Sequence, residues 1–215
     1  MGGMSSPVLL EVFADLWCPF AHVGLRAARA TCDEMGRDDV VLWVRAWPLE
    51  LVNHEPMDPA RAAANGAALR TQVASDRFAN VATDPFPSTT LPALALAHAA
   101  YRMSPQKGQQ MSFALRDALF EEGLDLSDAK VLDELAMRLE IGPAGEEDRS
   151  GVLADFAEGQ ARGVIGSPHF FCGAEGHFCP SLEITSTEGG RRIELQAAEL
   201  RAFLVACLEP SIDVE

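Results

Sequence analysis

The feature that most narrows the fold is an interruption. From Asp58 to about Gly163 strand signals vanish, and Ala, Leu, Arg and Glu dominate. On either side of that stretch the chain reads as mixed strand and helix. Neither flank alone makes a complete sheet, so the two flanks are expected to share one. The order predicts a split α/β domain, residues 1–57 and 163–215, carrying an all-helical insertion over 58–162.

The first flank sets the pattern. Val8 to Ala14 is short, apolar and rich in β-branched and aromatic residues, as a buried strand is. Asp15 to Cys18 is a turn, and Pro19 suits a first helical position, where its missing N–H costs nothing. The helix is expected to run to about Met35 and stop at Gly36, with Leu25, Ala28, Cys32 and Met35 on one face. Val40 to Trp47 reads as a second strand, ended by Pro48. This βαβ unit implies a parallel pair.

Five helices are predicted in the insertion. They open at Asp58-Pro59, at Ser88-Thr89-Thr90, at Ser104-Pro105, at Ser127 and at Glu146. Strand character returns with SPHFFC, opened by Pro168. GAEG then reads as a turn, and RRIEL, after Gly189-Gly190, as a closing strand. Ala197 to Leu208 reads as a final helix with Leu200, Phe203, Leu204, Cys207 and Leu208 on one face.

Charge excludes some partners. Acidic residues outnumber basic ones 32 to 17 over 215 residues, a formal charge of −15. Nucleic acid and anionic membrane surfaces both reward positive charge, so neither is expected to bind. The chain shows no apolar stretch long enough to span a membrane. Its start, MGGMSSPVLLEVFADLW, lacks the basic region of a signal peptide, and a cytoplasmic protein is the simplest expectation. The five cysteines (Cys18, Cys32, Cys172, Cys179 and Cys207) form no CxxC pair and are too scattered for a disulfide scaffold or a structural zinc site. No metal is expected, and no P-loop, GxGxxG or HExxH motif is present.

Two motifs carry chemistry. In DLWCPFAHVG, residues 15–24, Cys18 stands where a strand turns into a helix. The unpaired N–H groups and the dipole of a helix N-terminus favour thiolate over thiol, and the thiolate is the nucleophile. In GVIGSPHFF, residues 163–171, Pro168 opens a strand after Gly-Ser. Such a proline is a candidate for a cis bond, although trans is the commoner state. A cis bond would expose the Ser167 backbone for pairing with an extended substrate.

Taken together, the motifs resemble the DsbA-like branch of the thioredoxin superfamily, and more closely its FrnE-type members. DLWCPFAHVG is similar to the family's active-site turn and WPLEL to the segment after its second strand. STTLPALALAHAAYR and FEEGLDLSDAKVLDELA are similar to stretches of its helical insertion, and GVIGSPHFF to its cis-proline loop. The resemblance implies an α/β thioredoxin fold with an inserted all-helical subdomain. It also implies a nucleophilic Cys18 with cis Pro168 beside it, and a thiol-disulfide oxidoreductase. The related 2-hydroxychromene-2-carboxylate isomerases and kappa-class glutathione transferases lack a CxxC too, but characteristically carry serine where this chain has Cys18. A glutathione-dependent isomerase or transferase is therefore the alternative, and a thioredoxin-fold binding module without catalysis is a third.

The departure lies at Ala21, where the family's second cysteine would stand. A single thiol can attack a disulfide but needs another thiol to release the adduct. Glutathione could supply it as co-substrate, with no tightly bound cofactor. Cys179, in GHFCPSLEI, is the candidate internal resolving thiol. Cys32, Cys172 and Cys207 read as core residues. Pro19, Phe20, Ser167 and His169 are candidate substrate-binding residues, for a thiol- or disulfide-bearing peptide or for glutathione. His22, one helical turn beyond Cys18, is a candidate support for the thiolate. His98 reads as a boundary histidine. A homodimer is compatible with the sequence.

Overall fold

The computed structural model describes residues 6–187 and 190–208. The signal-peptide reading therefore falls partly outside the described residues, at positions 1–5, as does Gly189 of the Gly189-Gly190 turn. Strand β1 (Val8–Ala14) leads into helix α1 (Pro19–Glu34) and strand β2 (Val40–Ala46). The two strands pair in parallel over their full length, from Val8 beside Val40 to Ala14 beside Ala46. A short helix, α2 (Leu49–Asn53), follows where no helix was expected.

Five helices then succeed one another: α3 (Pro59–Gln72), α4 (Leu91–Met103), α5 (Pro105–Phe120), α6 (Ala129–Arg138) and α7 (Glu146–Ala161). Local chemistry explains their starts. Proline stands in the first turn of α3, α4 and α5, and the Asp58 and Ser104 side chains accept the N–H groups of Ala60 and Lys107. One start differs from the sequence reading. The cap of α6 is Asp128, not Ser127, because Ser127 is drawn into its own turn by Asp125 Oδ1. Within Ser88-Thr89-Thr90, the Thr89 hydroxyl accepts the Leu91 N–H at 3.2 Å at the start of α4, while the Thr90 hydroxyl donates to Asp15 Oδ1 and Glu50.

Strands β3 (His169–Cys172) and β4 (Glu175–Phe178) complete one sheet in the order β2-β1-β3-β4, with β3 antiparallel to β1. The two flanks of the insertion thus share a sheet. The GAEG segment is only partly a turn, since β4 begins at Glu175. RRIEL does not close this sheet. It lies in β6 (Gly190–Leu195), which pairs with β5 (Leu182–Thr187) as a separate two-stranded sheet. Helix α8 (Ala197–Leu208) packs beside α1, and its Phe203 meets Phe170 of β3 edge-to-face at 5.9 Å. The opposite face carries a smaller cluster of Phe13, Trp47, Val164 and Phe171, covered by Phe156 of α7. The architecture is an α/β thioredoxin fold with an inserted helical segment.

The insertion is bound to the sheet through its edge. An edge strand leaves a row of N–H and C=O groups unpaired. Along β2 those groups are taken by helix side chains. The Tyr101 hydroxyl donates to Leu42 O at 2.7 Å and accepts from Val44 N at 2.9 Å. Gln109 Oε1 accepts from Leu42 N at 2.7 Å, and Asp155 Oδ2 from Ala46 N at 3.0 Å. Among the described residues, no helix is long and apolar enough to cross a membrane.

Candidate active site

The turn after β1 places Cys18 as the N-cap of α1, with Pro19 in the first turn. Its sulfur accepts the Ala21 N–H at 3.4 Å, so the side chain satisfies one orphan donor of the helix. The thiol itself donates to the Ser167 carbonyl at 2.9 Å, joining residues 149 apart in sequence. The Ser167–Pro168 peptide bond is cis, as is Asp84–Pro85. Asp15 N–H donates to the Ser167 hydroxyl at 2.9 Å, fixing the same loop from the other side.

Burial changes the electrostatics that the helix terminus alone suggests. Cys18 is only 4% exposed. Loss of solvent pushes its pKa up, and the nearby charge of Asp15 adds to the rise, against hydrogen bonds from Ala21, the Ser167 hydroxyl and Phe20. The expected thiolate-favouring site is therefore, in this conformation, a closed site holding a thiol. Solvent, not the dipole, dominates.

Asp15 is the residue sequence reasoning missed. It is fully buried, and its carboxylate accepts from Trp17 N–H and the Thr90 hydroxyl, both at 3.1 Å, and from Leu49 N–H. Burial nevertheless raises its pKa to about 6. Beside it lies a second buried charge. The Arg116 guanidinium donates to the Asp15 carbonyl at 3.1 Å and to Ser112, and burial lowers its pKa to about 10. Asp15 thus ties the cysteine turn to the insertion, through Thr90 and Arg116, and to the segment after β2, through Leu49. The signal was present in DLWC, where a lone acid interrupts an apolar run, yet a turn-opening Asp ordinarily faces water.

The remaining candidates separate into those brought to Cys18 and those held away. His22 is not a thiolate support. Its ring is buried against Phe78 and Phe120, and its Nε2 lies 2.7 Å from Glu121 of the segment after α5. Burial lowers its pKa to about 4, so it is neutral at neutral pH and offers Cys18 no cation. His169 is packed within the fold. It is buried, stacked on Phe171 at 5.1 Å, and accepts the Ile165 N–H. Pro19 and Phe20 are buried at the turn, with Arg191 over the Phe20 ring at 5.6 Å. His98 is half-buried and bonds Asp148, on the helical face expected of it. Cys179 is brought close: its N–H donates to the Pro168 carbonyl at 3.0 Å.

Cys172 and Cys207, read as core residues, form a disulfide between the end of β3 and α8, with Cα atoms 5.1 Å apart. Sequence spacing could not reveal it, because the two meet only through packing of α8 on the sheet. Cys18, Cys32 and Cys179 are free thiols. His22, Asp117 and Glu121 place ligand-type atoms within 4.8 Å of one another. Those donors are already engaged: Asp117 pairs with Arg26, and Glu121 takes the His22 ring and the Ala79 N–H.

A strand-turn-helix thiol beside a cis-proline loop, in a thioredoxin fold interrupted by helices, defines the class to which DsbA-like oxidoreductases belong in architecture. Comparison with solved structures agrees on the fold. A putative protein disulfide isomerase from Nitrosomonas europaea superposes with a TM-score of 0.66, at 17% identity over 92% of this chain and 96% of that one. The cytosolic disulfide reductase DsbM from Pseudomonas aeruginosa gives 0.58, at 17% identity over 92% and 97%. A 2-hydroxychromene-2-carboxylate isomerase gives 0.59, at 12% identity over 80% and 88%. DsbM has also been solved with GSH. No family profile and no curated protein matches the chain.

Proposed function

We propose that this chain is a cytoplasmic thiol-disulfide oxidoreductase working through one nucleophilic thiol. The observation that carries the reading is the 2.9 Å contact between Cys18 Sγ and the Ser167 carbonyl, beside the Ser167–Pro168 bond. In the reaction Cys18 loses its proton and attacks one sulfur of a substrate disulfide. A Cys18 mixed disulfide forms, and the other substrate sulfur leaves and takes up a proton. Substrate entry displaces the thiol from the Ser167 carbonyl, and the Ser167 backbone is then open to an extended peptide or to glutathione. A thiol such as glutathione attacks the mixed disulfide, releases the reduced substrate and, after a second exchange, restores Cys18.

The buried resting thiol makes pH the visible lever. Its raised pKa keeps Cys18 protonated at neutral pH, so the rate of exchange should climb as the solution becomes alkaline. The test is reduction of a small disulfide with glutathione as electron donor. Cys18→Ser should abolish turnover, and unchanged turnover in that variant overturns the reading.

A second reading rests on the likeness to 2-hydroxychromene-2-carboxylate isomerase. In it the site binds glutathione noncovalently for isomerisation or transfer. Alkylating Cys18 and titrating glutathione discriminates the two. Tight binding that survives alkylation favours the isomerase or transferase, and loss of binding favours the mixed disulfide. The raised thiol pKa also suits a docking module without catalysis, which would show neither turnover nor glutathione binding.

A further inference from the structure

Ser167 and Pro168 are consecutive, and each carbonyl holds one cysteine. The Ser167 carbonyl takes the Cys18 thiol at 2.9 Å, and the Pro168 carbonyl takes the Cys179 N–H at 3.0 Å. The segment just after Cys179 also touches α1. A Cβ on Gly24 would stand 2.8 Å from Ser181 Oγ and 3.3 Å from Pro168 Cγ. Three pieces of chain therefore converge on one point: the cysteine helix, the proline loop and the Cys179–Ser181 connection between β4 and β5.

We propose that Cys179 is the resolving thiol of this site, which takes Cys18 out of a mixed disulfide by closing an internal Cys18–Cys179 bond. The proposal rests on Cys18 being the nucleophile. Elimination among the other thiols points the same way. Cys32 lies fourteen residues along the same helix, about 20 Å away, and is fully buried. Cys172 and Cys207 are bonded to each other. Cys179 alone is near enough for the charge of Cys18 to be felt on its thiol. Burial first, and that charge second, push its pKa up to about 12.

The connection carrying Cys179 holds two locally unfavourable features. Cys179 occupies the left-handed region at φ 47°, a conformation that costs a non-glycine residue free energy. Among the described residues the buried Ser181 hydroxyl has no hydrogen-bond partner, which is unfavourable. Closure of the internal bond requires the two Cα atoms to lie within the 4.4–6.8 Å span of a disulfide.

Cys18 attacks the substrate disulfide, forming a Cys18 mixed disulfide and releasing one reduced substrate thiol. With Cys18 bonded, its charge no longer opposes ionisation of Cys179. Cys179 gives up its proton and attacks Cys18 Sγ, forming the Cys18–Cys179 bond and expelling the second substrate sulfur, which takes the proton. The substrate gains two electrons and the protein loses two. Two equivalents of glutathione then reduce the internal bond and leave as oxidised glutathione.

The test follows intact mass with time after addition of oxidised glutathione at alkaline pH. In the unmodified protein a single glutathione adduct should rise and decay to a species lighter by two hydrogens. Its proteolytic fragments should join Cys18 to Cys179. In Cys179→Ser, and in Cys179→Gly, which suits the left-handed backbone, the adduct should persist at least about tenfold longer. An equally persistent adduct in the unmodified protein overturns the proposal and leaves the nucleophile intact. Absence there of both the adduct and the lighter species overturns the nucleophile itself.

Discussion

Replacing Asp15 by asparagine tests whether a buried acid governs this site. In the fold its pKa is about 6, against an ordinary value of 3.8. That difference is worth about 3 kcal/mol. The sign follows from proton binding. Between about pH 4 and pH 6 the native state holds the Asp15 proton and the unfolded chain does not. Stability therefore falls as pH rises through that window, and above it the full cost remains. Burial sets the cost, and the Thr90, Trp17 and Leu49 donors offset only part of it. Arg116 stays charged throughout, since its pKa is about 10.

Asp15→Asn removes the titration. It also sets an amide N–H₂ against Leu49 N–H, a fixed loss of about 1–3 kcal/mol. The variant should thus be the less stable protein at pH 4 and gain about 3 kcal/mol relative to the original by pH 7. Urea unfolding at half-unit steps of pH measures this directly. A difference between the two proteins that stays flat within about 1 kcal/mol from pH 4 to pH 7 refutes the argument. Because Asp15 also raises the Cys18 pKa, the variant should be alkylated faster by iodoacetamide at pH 8.

Three further outcomes are expected. Ala21→Cys restores the second thiol at a buried position whose N–H already meets Cys18 Sγ. It should shorten the life of a glutathione adduct on Cys18, read by intact mass with time, while two glutathiones are still consumed per disulfide. Titration of thiols in denaturant should find three before reduction and five after, because Cys172 and Cys207 are joined; five before reduction contradicts the pairing. Gly24→Ala drives a methyl against Ser181 Oγ and Pro168 Cγ, and the gain in helix propensity repays only part. A net loss of about 1–2 kcal/mol in urea unfolding is expected.

The parts of the fold legible in the sequence are those whose cause is local. Pro19, Asp58 and Pro105 announce helix starts through backbone chemistry, and β1 and β2 announce themselves by buried apolar runs. Strands β4 and β5 are short and largely exposed, so no buried pattern marks them, and β6 depends on β5 for its place. The site divides in the same way. Cys18 and Pro168 stand in motifs whose backbone context is readable. Asp15 is buried because Thr90 and Arg116 reach it from 75 and 101 residues away. His22 is neutral because Glu121, Phe78 and Phe120 enclose it. Both facts belong to tertiary packing, which no local window contains.

The hydrogen bonds that Tyr101, Gln109 and Asp155 make along β2 bear on how this protein could be shortened. Excising residues 58–162 to leave a minimal thioredoxin-like core would not merely remove a cover. It would strip the acceptors and donors from a seven-residue strand and present its backbone to any other copy in solution. The expected product is an edge-to-edge aggregate, and rescue would call for charge or proline placed on β2 itself. The insertion is thus the device that keeps this sheet at four strands.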